Sequence, residues 1–193
     1  SGSGHVRIYQ NVNNIWTQIG SDINGEASGD LSGYSVSLSS DGSIVAIGAR
    51  GSDDNGINSG HVRIYKNVNN TWTQVGGDIY GEAAGDQSGY SVSLSADGSI
   101  VAVGAHLNNG NGTESGHVSI FKNVNGTWTQ VGGDINGEAA GDQSGLSVSL
   151  SADGSIVAIG ASGNDGNGTG GGHVRIYQNV NNIWTQVGGD ING

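Results

Sequence analysis

His5, His61, His117 and His173 are spaced 56 residues apart, and Trp16, Trp72, Trp128 and Trp184 keep the same interval. A chain that writes one 56-residue string with no slip of register is a tandem repeat. In such arrays each unit covers its apolar face by stacking on its neighbours. The units are residues 5–60, 61–116 and 117–172, after a lead-in of residues 1–4 and before a partial fourth copy at 173–193. Most positions are held between copies, while the segment Arg50–Asn58 drifts into "HLNNGNGTE" and "SGNDGNGTG".

Within one unit the apolar period is two. "HVRIYK" sets Val62 and Ile64 against His61, Arg63 and Tyr65, and "YSVSLS" sets Tyr90, Val92 and Leu94 against serines. "NVNN" joins the first strand to "TWTQVGGDI", and Asn there tolerates left-handed backbone. "SADG" turns the second into "SIVAVGA", which is apolar on both faces and belongs at a doubly covered position. The 38 glycines and absence of proline fit many short strands and turns. The expected fold is all-β, with tandem four-stranded antiparallel blades of 56-residue period, β-propeller-like, about 3.5 blades per chain.

"SGYSVSLSADGSIVAVGA", followed by an Asn/Gly loop and "SGHVSIFKN", resembles the FG-GAP repeat of integrin α-subunit propellers and many bacterial extracellular proteins. The resemblance covers the whole repeat but departs from the family pattern. Ser32, Ser88 and Ser144 stand where the family has Phe, and Arg50, His106 and Ser162 follow Gly-Ala where it has Pro. The calcium loop that many members carry is reduced to one acid per turn, Asp41, Asp97 or Asp153. Calcium needs six to eight oxygens, so that site does not carry over.

The net charge of −11 opposes a nucleic-acid partner, whose phosphates need a basic patch. No apolar run is long enough to insert into a membrane, and no charged-then-apolar leader opens the chain. With no cysteine there is no disulfide frame. Asn-x-Thr triplets begin at Asn69, Asn111, Asn125 and Asn167.

The acids recur as Asp22, Glu26, Asp30 and Asp41, then Asp78, Glu82, Asp86 and Asp97, then Asp134, Glu138, Asp142 and Asp153. One active site needs one constellation, so repetition points to turn capping. Weak candidates for calcium are Asp53, Asp54, Asn55, Glu82 and Asp86. Candidates for binding in the variable loop are Asn109, Asn111, Asn164, Asp165 and Asn167. The histidines are expected at the surface or at blade edges, and the tryptophans between blades.

These readings give the expectation of a non-enzymatic extracellular or cell-surface module. It would self-associate into a ring or filament, because three and a half blades leave open ends. The alternative is an adhesion or lectin-like propeller taking glycan, calcium or an extracellular protein on its loops.

Overall fold

A computed structural model describes residues 2–193, and among these every regular element is a strand. The chain opens with half a blade, in which β1 (His5–Val6) pairs β4 (Ile23–Asn24) and β2 (Tyr9–Val12) pairs β3 (Ile15–Gln18). The first complete blade is an antiparallel sheet in the order β5 (Ser35–Leu38), β6 (Ile44–Ala49), β7 (His61–Val68) and β8 (Thr71–Gln74). The two-residue β9 (Ile79–Tyr80) also pairs with β7. The second repeats this with β10 (Ser91–Leu94), β11 (Ile100–Ala105), β12 (His117–Val124), β13 (Thr127–Gln130) and β14 (Ile135–Asn136). The third comprises β15 (Ser147–Leu150), β16 (Ile156–Ala161), β17 (His173–Val180), β18 (Ile183–Gln186) and β19 (Ile191–Asn192).

The architecture is therefore propeller-like, with three complete blades and a half blade. Each sheet joins the second hairpin of one repeat to the first hairpin of the next, so adjacent repeats share a sheet and are tied by β6–β7, β11–β12 and β16–β17 pairing. Each blade also has a fifth, two-residue strand beyond the expected four.

The turns follow from their residues. Asn69 and Asn70 both adopt positive φ, 51° and 65°, as a two-residue type I′ hairpin requires. At the other hairpin Asp97 accepts hydrogen bonds from Ser95 Oγ, Ser99 N and Ser99 Oγ, with Gly98 at φ 70° closing the turn. The doubly apolar strands are central, as Val45, Ala46 and Ile47 of β6 and Val101, Ala102 and Val103 of β11 are buried.

The core lies between blades. Val62, Ile64 and Ala46 of the first blade close on Val92, Leu94, Val101 and Val103 of the second, with Trp128 packed alongside. The indole of Trp128 donates to Val75 O at 2.7 Å across this junction. Trp72 donates to Ile19 O and Trp184 to Val131 O in the same way. On the inner side β5 lies against β10 and β10 against β15. There Ser35 Oγ donates to Gly89 O, Ser91 Oγ to Gly145 O, and Leu94 N to Ser37 Oγ. This approach requires glycine, since a Cβ on Gly48 would sit 2.1 Å from Gly89 O and one on Gly104 2.1 Å from Gly145 O.

Two expected outcomes follow. Trp128→Ala should destabilise the fold by about 2–4 kcal/mol in urea unfolding, losing packing and a hydrogen bond. Trp16, which is 67% exposed, should change stability by no more than about 0.5 kcal/mol on the same substitution.

Candidate functional site

Six of the twelve repeated acids, Asp30, Asp41, Asp86, Asp97, Asp142 and Asp153, accept backbone N–H bonds within their own turns. Asp86, buried, accepts from Ala83 N and from Asn108 Nδ2, and Asp142 accepts from Ala139 N and Asn164 Nδ2. Asp41 and Asp153 are held at about 2 by hydrogen bonds from the serine backbone and hydroxyls of their own turns. The five residues considered for calcium do not share a site. Asp53 caps Asn58 N, Asp54 pairs with Ser52 Oγ and His61 Nδ1, and Asn55 donates to the carbonyls of Gly81 and Glu82.

The variable-loop candidates are likewise spent on their own surroundings. Asn109 accepts from Glu114 N, Asp165 accepts from Gly170 N, and Asn164 caps Gly166 N. Asn111 donates to Gly137 O and Glu138 O, and Asn167 to Gly193 O. These loops brace the turn of the following repeat.

His61, His117 and His173 are buried, which departs from the expected surface or blade-edge position; only His5 is exposed. Each buried imidazole begins a long strand and faces carboxylates from the junction with the preceding blade, a placement the linear spacing does not reveal.

A different group gathers on the inner rim, where strands of adjacent blades meet. Tyr34 precedes β5 and Tyr90 precedes β10, and their rings pack at 4.9 Å between centroids. Arg50 follows β6, with its guanidinium carbon 4.3 Å from the Tyr34 centroid and 5.8 Å from that of Tyr90. Its Nη1 donates to Gln87 Oε1 at 2.9 Å. His106 follows β11 and packs against Tyr90 with ring centroids 3.9 Å apart and the planes tilted by 46°.

Two polar atoms in this group are buried without a partner among the described residues, Arg50 Nε and His106 Nδ1. Burial, aided by the Arg50 charge, lowers His106 to about 4, so its imidazole is neutral at pH 7. The Tyr90 phenol is raised above its ordinary value by the Tyr34 hydroxyl beside it and then by burial. At the equivalent place in the third blade, Leu146 and Ser162 line a cavity of about 420 Å³.

The rim columns read Tyr34, Tyr90, Leu146 and Arg50, His106, Ser162, so they are non-repeated positions in a repeated chain. The sequence displays this divergence, but not that residues one period apart touch.

The fold and this rim define a β-propeller-type repeat protein with a mixed aromatic and cationic cluster on its inner side. Residues 24–65 and 81–121 match the model of the FG-GAP repeat family. No curated protein matches it in sequence. Among solved structures it is similar to a candidate 6-phosphogluconolactonase from Bacteroides uniformis ATCC 8492. The TM-score is 0.67 at 13% identity, covering 98% of this chain and 49% of that one. The periplasmic gluconolactonase of Pseudomonas aeruginosa gives 0.60 at 15%, covering 97% and 48%. A candidate 6-phosphogluconolactonase from Bacteroides fragilis NCTC 9343 gives 0.60 at 17%, covering 87% and 41%. The chain spans less than half the length of each of these.

These findings overturn the expectation of a non-enzymatic, self-associating module, and with it the loop-binding adhesion or lectin-like alternative. These three similar structures are described as lactonases or candidate lactonases. Repeated acids do not exclude a single site, because blade stacking brings together Tyr34, Tyr90, Arg50 and His106, positions that vary between copies.

His106 should titrate with a midpoint near 4 by ¹³C-edited NMR. Because its folded pKa lies below the unfolded value, the unfolded chain binds the extra proton between about pH 6.5 and 4. Its contribution to stability is thus complete above that window and is lost as pH falls through it. His106→Gln should flatten the stability profile there in urea titrations at successive pH values.

Proposed function

We propose that the inner rim binds an anionic, polyhydroxylated small molecule and hydrolyses a lactone or ester bond within it. The observation that carries this reading is the pairing of Arg50 and His106, each with a buried, unpartnered nitrogen, around the Tyr34–Tyr90 ring pair. A guanidinium offers a charge-assisted donor to a carboxylate, a phosphate or a developing oxyanion. A neutral imidazole accepts a proton from attacking water. The phenol rings give a flat apolar surface with hydroxyl groups at its edge, suited to a sugar-derived ring. The likeness in fold to proteins described as gluconolactonases supports this class of substrate.

In this reading water adds to the lactone carbonyl while His106 takes its proton. The oxyanion forms against Arg50, and collapse of the tetrahedral species opens the ring to the hydroxy acid, with the ring oxygen taking up a proton.

The test is hydrolysis of 6-phosphoglucono-1,5-lactone, an anionic polyhydroxylated lactone, followed by pH-stat above the spontaneous rate. The wild-type chain should accelerate it, and Arg50→Gln and His106→Gln should each lower kcat/KM about 100-fold or more, with circular dichroism unchanged. A wild-type rate equal to buffer, or full activity in both variants, would contradict the proposal.

A further inference from the structure

The junctions between blades carry a second kind of cluster, and its copies are not equivalent. At the first, Glu26, Asp54, His61 and Asp78 come together, with Arg63 Nη1 3.2 Å from Glu26 Oε1. At the third, Glu138, His173 and Asp190 do so, with Arg175 Nη1 3.3 Å from Glu138 Oε1. Both arginines are buried, so a guanidinium is built into each of these sites to offset the carboxylates.

At the second junction the position of that arginine is Ser119. Glu82, His117 and Asp134 remain, with ligand atoms all within 4.8 Å of one another and no cationic partner among the described residues. His117 is only 4% exposed, yet its ring makes no hydrogen bond within the described protein and lines a cavity of about 180 Å³ shared with Glu82, Ser119 and Gln130. Ser119 Oγ and Gln130 Nε2 each donate at 2.6 Å to Asp134 Oδ1, so both bonds fall on one oxygen and Oδ2 accepts nothing. Among the described residues the Glu82 carboxylate has no hydrogen bond or ion pair.

We propose that Glu82, His117 and Asp134 bind one divalent transition-metal ion, for which zinc is the probe, between the first and second blades. One imidazole nitrogen and two carboxylates are a three-ligand donor set that leaves a fourth position open. The imidazole and the small ligand number turn the site away from calcium. Ser119 and Gln130 orient Asp134 in the manner of outer-sphere partners of a metal ligand. The ion takes the place that Arg63 and Arg175 fill at the neighbouring junctions. This inference is independent of the rim chemistry, and neither the presence nor the absence of lactone hydrolysis bears on it.

Isothermal titration calorimetry of the full chain with zinc chloride tests it. One equivalent should bind, and Ser119→Arg, which restores the guanidinium of the other copies, should weaken binding about 100-fold or more. His117→Gln should do the same, with circular dichroism of the metal-free variants unchanged. Arg175→Ser should add a second equivalent. No binding at millimolar zinc, or wild-type affinity and stoichiometry in both Ser119→Arg and His117→Gln, would overturn the proposal.

Discussion

The close approach of inner strands from successive blades is the contact on which the rest of this structure depends. Gly48 and Gly104 allow the backbone of the next blade to lie where a side chain would otherwise stand, and Ser35 and Ser91 then bond to its carbonyls. That approach positions the interblade core formed by Val62, Ile64, Val92 and Leu94. It also brings the residue just before one inner strand onto its counterpart 56 positions away, which is how Tyr34 reaches Tyr90 and Arg50 reaches both. The rim cluster is a product of blade stacking and belongs to no single repeat.

Much of the fold was legible in the sequence. Val and Leu alternating with Ser gave the half-buried inner strands, the unbroken apolar run of "SIVAVGA" gave the central ones, and paired Asn gave the hairpins. Blade boundaries were harder to read, because the repeat starts at His61 whereas the sheet begins earlier, at Ser35. Periodicity locates the spacing of a repeat but leaves its phase undetermined, since any starting residue yields the same pattern.

The sites were less legible, for a physical reason. The repeated acids stand out in the sequence, yet half of them serve turns whose backbone donors need a carboxylate. The two clusters on which the proposals rest lie instead where copies differ, as at His106 facing Tyr90 and at Ser119 standing in for arginine. A single-residue change in a repeat alters one junction only, and its consequence depends on a partner from the neighbouring blade. Sequence order shows the change; only the packing shows the partner.

The most direct test of blade stacking as the origin of the rim is a ¹³C-edited nuclear Overhauser experiment between the rings of Tyr34 and Tyr90. With centroids 4.9 Å apart, strong cross-peaks are expected between their ring protons. Their absence, with both ring systems assigned, would mean that the inner strands do not meet as described, and the rim cluster would not exist.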